Sequence, residues 1–436
     1  MITIITIFIS RLAERILRLF GRGATTLPGR IALKLKPNIL STLSKNVCVV
    51  MITGTNGKTT TARIIEQGFK SSGKSYFINR SGANLITGIT TAFLSNCNAL
   101  GKCKKQYAII ECDENALKRV SLYVKAKILV VTNVFRDQLD RYGEVSHTLS
   151  AIRGGAENMP DCLLVLNADD PLTFSLSRFK NAYCSFGIDV PLSRGGSEDN
   201  SYCVFCHAPY RYSFRTFSQL GGFCCPGCGY ERLAPTASCT EILNETADFS
   251  QILARIGSTQ MLLMVNLGSV YNIYNALAAA QVLYSLGFSQ LEIENALAAF
   301  NGAFGRMESF GSLRMLLVKN PAGFTQTMNY IYNLSAKNLI FILNDNDADG
   351  RDVSWIWDAD ININPSVEQI YTFGIRSGDM ALRLKYAGYQ PKIIKSYKEF
   401  YALCAEENTV LIPTYTAMMA LRPYLARKFK KEEFWR

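Results

Sequence analysis

The sequence predicts an α/β fold built on a mostly parallel sheet, and three observations support this prediction. From residue 41 onward, short apolar runs rich in β-branched residues alternate with longer helical stretches, as parallel strands alternate with crossover helices. One of these runs ends in a glycine-rich turn. The chain has 436 residues, 48% hydrophobic and 19% charged. This composition is that of a globular protein and excludes wholesale disorder.

The length allows two or three domains, each with its own core. We expect an N-terminal helical segment at residues 1–40, a central domain at 41–300 and a C-terminal, Rossmann-like α/β domain at 301–436. A cysteine-rich insertion at about residues 200–232 interrupts the central domain. The strand candidates of the C-terminal domain are Leu313–Lys319, Asn338–Leu343, Gln369–Phe373 and Thr409–Pro413.

The N-terminal segment begins with an apolar run, residues 2–9, that is far too short to span a bilayer. One helical face after it carries Arg11, Arg15, Arg18 and Arg22. The neighbouring apolar stripe is Phe8, Leu12, Ile16 and Leu19. A signal peptide would carry its charge before the apolar run. We therefore expect a helix packed on the domain behind it, with a helix at a membrane surface as the alternative.

A glycine-bracketed turn follows the first apolar run of the central domain. A strand, glycine loop and helix in this order direct backbone N–H groups and a helix N-terminus toward an anion, typically phosphate. We expect Lys58 to reach the terminal phosphates of a nucleotide and the Thr59 hydroxyl to bind Mg²⁺. Two residues separate the glycines, where the general nucleotide-binding motif has four. The expected phosphate-binding residues are Gly54, Thr55, Asn56, Gly57, Lys58, Thr59 and Thr60.

Carboxylates and amides follow the next apolar runs. The predicted strand 106–111 ends at Glu111, where a Mg²⁺ ligand belongs beside a phosphate loop. A solvated acidic turn is the alternative. The two further strands, 128–132 and 162–166, lead to the polar segments 137–143 and 167–171.

Four cysteines in the insertion form two Cys-x-x-Cys pairs, Cys203 with Cys206 and Cys225 with Cys228. Two such pairs at this separation predict a zinc ribbon with a closed, structural Zn²⁺ site. Cys224 and His207 are adjacent spare ligands. The thirteen cysteines of the chain are therefore predicted to be reduced, which is typical of a cytoplasmic protein. The formal charge of +12 favours a polyanionic neighbour: nucleotide, nucleic acid or an anionic membrane face.

Taken together, residues 41–436 resemble the Mur ligase superfamily and the related folylpolyglutamate synthases. The resemblance rests on the Gly-Thr-Asn-Gly-Lys-Thr loop, the strand-end Glu111, and the segments 132–143 and 166–171. It implies an ATP-dependent ligase. The resemblance also places Asn272 or Asn275 near the adenine and Arg306, in the hinge, over the ATP phosphates.

The C-terminal segments 319–323, 344–346 and 349–358, with the zinc ribbon, resemble the MurT family. This resemblance adds Asp345 to the expected ATP-binding residues. The reaction it implies is ATP-dependent amidation of the D-glutamate α-carboxylate in the lipid II stem peptide, through an acyl phosphate. A GatD-like glutaminase in a heterodimer supplies the ammonia. Only two histidines are present, His147 and His207, so the chain has almost no candidate base for its own glutaminase.

The resemblance also implies that Asp352 orients the catalytic histidine of the glutaminase across the interface, with Asp349 as the runner-up. A role for Asp352 as the cap of a helix beginning near Val353 is the alternative. Trp355 and Trp357 are expected to bury the far side of this loop.

Two other functions remain open from the residues alone. A single-chain folylpolyglutamate synthase-like ligase shares the ATP machinery, but the ribbon and the 349–358 loop count against it. A zinc-ribbon NTPase that binds nucleic acid should cluster its basic residues with aromatics, yet they are spread along the chain. We therefore expect no nucleic-acid partner.

Overall fold

Two sheets organise the chain, one of nine strands and one of six. The computed structural model describes residues 2–19, 25–79, 82–135, 145–192, 202–246, 248–300 and 308–430. Within these ranges, no helix has both the length and the apolar character needed to cross a bilayer. The predicted α/β fold with a mostly parallel sheet is confirmed.

The nine-stranded sheet has the order β11-β10-β9-β6-β5-β4-β1-β3-β2. Strands β1 to β6 and β9 pair in parallel, and β10 and β11 extend the sheet as antiparallel strands that the sequence analysis did not predict. The strands are β1 (Cys48–Thr53), β2 (Tyr76–Ile78), β3 (Tyr107–Glu111), β4 (Ile128–Val131), β5 (Leu163–Asn167), β6 (Tyr183–Ile188), β9 (Ala237–Glu245), β10 (Ser250–Ile256) and β11 (Thr259–Val265).

Helices cover both faces of this sheet, because alternate side chains of each central strand point to opposite faces. In β1, Val50 and Ile52 lie in one hydrophobic core, whereas Val49 and Met51 lie in the other. The helices are α1 (Ile2–Leu19), α2 (Leu27–Leu35), α3 (Ile39–Ser44), α4 (Lys58–Ser71), α5 (Ile86–Asn96), α6 (Glu114–Val120), α7 (Val145–Glu157), α8 (Pro171–Phe174), α9 (Val270–Ser285) and α10 (Gln290–Ala298).

The cysteine-rich insertion contains a two-stranded hairpin, β7 (Arg211–Phe217) and β8 (Leu220–Cys224). It has a small aromatic core of its own that includes Tyr210, Phe223 and Tyr230. At the turn of the hairpin, the Gln219 side chain donates to the Val134 carbonyl at 3.2 Å. The insertion therefore contacts the segment that follows β4.

The six-stranded sheet has the order β12-β13-β17-β14-β15-β16 and is parallel except for the β12–β13 pair. The predicted strand 313–319 is regular only at Leu313–Met315, but the Leu316 and Val318 N–H groups still donate to β17 carbonyls. The elements are β12 (Glu308–Phe310), β13 (Leu313–Met315), α11 (Pro321–Tyr332), β14 (Asn338–Ile342), β15 (Gln369–Phe373), α12 (Ser377–Tyr386), β16 (Lys392–Ile393), α13 (Tyr397–Leu403), β17 (Thr409–Pro413) and α14 (Tyr415–Lys428).

The N-terminal helix α1 packs on α2 and α5, as we expected, but not through its apolar stripe. Its buried side chains are Thr6, Ile7, Ser10 and Glu14. The stripe Phe8, Leu12, Ile16 and Leu19 is exposed. The reason is that the Arg11 guanidinium donates to the Leu94 and Cys97 carbonyls at the C-terminal end of α5, which fixes the rotation of α1. Arg22 lies outside the described residues.

Candidate active site

The phosphate loop connects the end of β1 to the start of α4, and it requires glycine at two positions. Gly54 has φ +123° and Gly57 has φ +86°, which other residues rarely adopt. A Cβ on Gly54 would lie 2.3 Å from Thr132 Oγ1, and one on Gly57 would lie 2.1 Å from Asn275 Oδ1. The loop therefore fits closely between the end of β4 and α9.

Residues just after β4 hold the loop from one side. Thr132 Oγ1 donates to the Asn56 carbonyl at 2.7 Å, and Asn133 Oδ1 accepts from the Asn56 N–H at 2.9 Å. The Phe135 N–H donates to Thr55 Oγ1 at 3.0 Å. These neutral hydrogen bonds fix Thr55 and Asn56 before any ligand binds.

Lys58 is buried at the start of α4 and pairs with Glu114 at 2.7 Å. Its ammonium also donates to the Gly54 carbonyl within the loop. Burial lowers the pKa of Lys58, but Glu114 and Glu111 raise it by more, so the net pKa is above its ordinary value. Lys58 is therefore a charged group held inside the loop. Glu114 was not among the predicted site residues, although it follows Glu111 by three positions.

Thr59 and Glu111 lie together, as the motif predicts for a Mg²⁺ site. Thr59 Oγ1 donates to Glu111 Oε2 at 2.8 Å, and both residues are buried. The Asn79 side chain donates to the Glu111 carbonyl and accepts from its N–H, each at 2.8 Å. A hydroxyl and a carboxylate are the hard oxygen ligands that Mg²⁺ prefers, so the donor set fits this ion.

A cleft separates the phosphate loop from the six-stranded sheet. A hydrogen bond crosses between the two sides, from Asn320 Nδ2 to Asn56 Oδ1 at 3.2 Å. Asn320 also caps α11 by accepting from the Gly323 N–H at 2.8 Å. The cleft is lined by Asn56, Gly57, Thr60, Leu267, Tyr271, Asn272, Asn275, Leu316, Leu317, Lys319, Gly323, Gln326, Thr327 and Tyr330.

Both asparagines expected near adenine, Asn272 and Asn275, lie on α9 and line this cleft. Asn275 Nδ2 donates to Asn272 Oδ1 at 3.3 Å. Arg306 lies outside the described residues, as does the segment 137–143. Lys319 and Asn320 belong to the segment 319–323, which resembles the MurT family, but no role was assigned to either residue from the sequence.

The acidic segment 344–358 lies apart from this cleft. Asp345, expected to bind ATP, is not among the described residues that line the cleft, and it pairs with Arg376 at 3.0 Å. Asp349 is buried and accepts from Thr416 through both carboxylate oxygens. Asp352 is partly exposed and accepts from the Ser354 N–H at 2.8 Å and from the Ser354 hydroxyl at 2.9 Å.

The two tryptophans of this segment differ in their exposure to solvent. Trp355 is buried against Phe324, as expected. The expectation for Trp357 is wrong, because the residue is 45% exposed and its ring meets Tyr386 edge to face. The Arg383 guanidinium lies 5.6 Å from the Trp357 ring centre, and it donates to the Ile356 and Ala359 carbonyls. These hydrogen bonds and the Tyr386 ring hold Trp357 at the surface near Asp352.

The four predicted zinc ligands come together. Their sulfur atoms all lie within 4.8 Å of one another, with Cys206 and Cys225 3.4 Å apart and Cys203 and Cys228 3.6 Å apart. Tetrahedral Zn–S bonds of about 2.3 Å place sulfurs roughly 3.8 Å apart. Burial opposes ionisation of Cys203, but the Cys206 and Phe205 N–H groups lower its pKa to about 6. The site therefore fits Zn²⁺, and neither spare ligand belongs to the cluster.

Comparisons with known families match part of each sheet. Residues 52–196 match the Mur ligase middle domain, and residues 317–418 match the MurT ligase C-terminal family.

Two solved structures share the fold. A pseudomurein peptide ligase type C from Methanothermus fervidus superposes with a TM-score of 0.67 at 22% identity, over 88% of this chain and 79% of that one. A MurF ligase from Thermotoga maritima, solved in complex with ADP, superposes with a TM-score of 0.61 at 12% identity, over 92% of this chain and 84% of that one. At such identities the likeness shows the fold alone.

Two relatives match over nearly the whole chain. Both are named lipid II isoglutaminyl synthase (glutamine-hydrolyzing) subunit MurT. The protein from Streptococcus pneumoniae is 34% identical, over 98% of this chain and 97% of its own length. The protein from Staphylococcus aureus is 33% identical, over 97% of this chain and 98% of its own length. The full-length match at this identity shows that the chain belongs to the MurT family of lipid II isoglutaminyl synthase subunits.

Proposed function

We propose that this chain is the synthetase subunit of a glutamine-dependent enzyme that amidates lipid II. The observation that carries the proposal is the full-length match to two subunits named for this activity. The chain is an ATP-dependent carbon–nitrogen ligase of peptidoglycan synthesis. No described feature favours the folate ligase or the nucleic-acid NTPase over it.

The reaction proceeds in two displacements. A carboxylate oxygen of the D-glutamate residue forms a bond to the γ-phosphorus of ATP, and the bond from that phosphorus to ADP breaks. The nitrogen of ammonia then attacks the carbonyl carbon of the acyl phosphate, and the carbon–oxygen bond to phosphate breaks. The products are the D-isoglutamine amide, ADP and inorganic phosphate, and the nitrogen loses one proton to water.

The phosphate loop and its partners are proposed to bind ATP. The backbone N–H groups of Gly57 to Thr60, at the start of α4, would face the phosphates, because those of Thr55 and Asn56 already donate to Asn133. Lys58 would neutralise the phosphates after release from Glu114. Thr59 and Glu111 would hold Mg²⁺, which supplies positive charge to the phosphates when bound. Asn272 and Asn275 lie in the cleft where the base is expected. Arg306 is proposed to close over the phosphates. Asp345 is less favoured, because Arg376 already pairs with it.

Ammonia is proposed to come from a GatD-like glutaminase that forms a heterodimer with this chain. Asp352 is the proposed orienting group for the histidine of that glutaminase. Its partly exposed position favours it over Asp349, whose two oxygens accept from Thr416 in the interior. The hydrogen bonds from Ser354 also keep the capping alternative open.

The four-cysteine cluster is proposed to bind one structural Zn²⁺ through Cys203, Cys206, Cys225 and Cys228. A closed set of four thiolates leaves no ligand position for a catalytic water. We also propose that the enzyme acts in the cytoplasm at the inner face of the plasma membrane, since its substrate is a lipid.

Reconstitution tests the function directly. The full chain is mixed with a GatD-like glutaminase, lipid II, ATP and glutamine, and the stem peptide is analysed by mass spectrometry. We expect the mass change of a carboxylate converted to an amide, with ADP formed in step. ADP formation that responds to nucleic acid or to a folate, and not to lipid II, would contradict the proposal. A pull-down of the tagged chain should recover the glutaminase.

A further inference from the structure

The outward face of α1 is apolar, which is unusual for a helix packed on a globular domain. The exposed residues Ile2, Ile5, Phe8, Leu12, Ile16 and Leu19 share this outward face. On a helix with 100° per residue they occupy an arc of about 120°. Phe8 is 67% exposed and Leu19 is 85% exposed. Because burial of such side chains is favourable, a contiguous apolar face of this kind indicates an interaction site.

Polar contacts on the inward side prevent α1 from rolling this face into the domain. Arg11 donates to two carbonyls at the end of α5, and Ser95 Oγ donates to Glu14 Oε1 at 3.0 Å. Near the N-terminus, Lys36 Nζ donates to Thr3 Oγ1 at 2.6 Å. Rotation of α1 would break these bonds, including the one that Glu14 accepts from Ser95. The apolar face is therefore held outward.

The charges around this face are positive. Within the described part of α1, Glu14 is the only acidic residue, and it is buried and paired with Arg18. Arg15 and Arg18 are exposed along one edge of the apolar arc. The elements beside α1 add the exposed side chains of Arg30, Lys34, Lys102 and Lys104. An apolar helix face edged by basic residues is complementary to a bilayer that contains anionic lipids.

We propose that α1 lies in the surface of an anionic bilayer, with its apolar face among the acyl chains and Arg15 and Arg18 at the headgroups. The commitment to lipid rests on the proposed function, because a lipid-linked substrate requires the enzyme to work at a membrane. The contact itself does not depend on ATP or on the reaction. It brings the enzyme to the surface on which its substrate diffuses.

Vesicle flotation tests this proposal with the full chain, alone and with the glutaminase. We expect binding to vesicles of phosphatidylcholine with phosphatidylglycerol, weaker binding to phosphatidylcholine alone, and a decrease as salt is raised. The double variant Phe8→Glu/Leu12→Glu should bind at least about tenfold more weakly. Arg15→Gln should weaken binding about fivefold. The matched control Leu291→Glu/Leu382→Glu, on exposed positions of other helices, should bind like the wild type.

Amidation of detergent-solubilised lipid II separates this proposal from the proposed function. Both double variants should retain that activity, and its absence in the wild type would count against the function rather than the membrane site. Equal vesicle binding by the wild type and Phe8→Glu/Leu12→Glu overturns the membrane site. The membrane site is also overturned if the wild type does not bind vesicles and the variant Phe8→Glu/Leu12→Glu loses glutaminase binding or self-association. In that case α1 would be a protein interface.

Discussion

The phosphate loop and the acidic segment 344–358 are both rich in polar groups, but the loop is buried whereas much of the acidic segment is exposed. The phosphate loop is buried, and β3, β4, α6 and α9 all supply partners to it. In the acidic segment, Asp347 is 88% exposed and pairs with Arg351 four residues away. Asp352 accepts hydrogen bonds from its own turn. The first region is proposed to bind its ligand with residues of this chain, whereas the second is proposed to present a carboxylate to a partner.

This difference predicts which variants impair the synthetase reaction itself and which impair only its supply of ammonia. Changes at the phosphate loop should impair every reaction that uses ATP, whatever the source of ammonia. Changes at the acidic segment should impair only the reactions that require the glutaminase. The choice of nitrogen donor, glutamine or ammonium, therefore separates the two regions.

The largest effect is expected for Lys58→Ala. Removing the buried ammonium should lower ATP-dependent amidation about a hundredfold or more with either nitrogen donor. Amidation is measured by mass spectrometry, and the thermal midpoint checks the fold. Lys70→Ala, on the exposed end of the same helix, is the control. Wild-type turnover by Lys58→Ala would remove it from the phosphate site.

Asp352→Asn should affect only glutamine-dependent activity. We expect glutamine hydrolysis in the complex to fall roughly a hundredfold, because the neutral amide no longer stabilises the histidine cation. Amidation from added ammonium should continue. The amide oxygen can still accept from the Ser354 N–H, so the capping alternative predicts near-normal hydrolysis. Asp347→Asn, in the same segment, is the matched control.

Loss of zinc should extend to the phosphate loop. Cys225→Ser is expected to bind no Zn²⁺ by metal analysis and to raise the KM for ATP about tenfold. The physical link runs from Gln219 in the hairpin to the Val134 carbonyl, next to Phe135, which hydrogen-bonds Thr55. Cys224→Ser changes the adjacent cysteine outside the cluster and should keep both zinc and the wild-type KM. Zinc binding by Cys225→Ser would show that the ligand set is wrong.

The smallest effect is expected for Asn320→Ser, which removes a hydrogen bond across the cleft but keeps a side-chain oxygen that can cap α11. Loss of one neutral hydrogen bond should raise the KM for ATP about fivefold and leave ammonium and glutamine equally effective. Asn333→Ala, at the other end of α11, is the control. A defect confined to glutamine would instead place Asn320 in the communication with the glutaminase.

The phosphate loop was predictable because its chemistry depends on local backbone geometry. Gly54 and Gly57 mark positive φ angles, and Lys58 follows them directly. The partners Glu114 and Asn320 were not assigned, because only the packing of distant segments reveals which polar groups meet. The sequence showed the apolar stripe of α1 but left open whether it packs on the domain or faces a membrane surface, because a stripe does not show which side of a helix the domain will bind.

The close approach of Gly57 to Asn275 has a consequence for synthesis of the protein. The part of α9 that closes against the phosphate loop emerges from the ribosome roughly 220 residues after the loop itself, or about 10 to 40 s later. Until then the loop lacks one of its walls. A nascent chain should therefore not retain nucleotide until the central domain is almost fully translated, and a fragment that ends before residue 270 should fail to bind ATP even though it contains the whole motif.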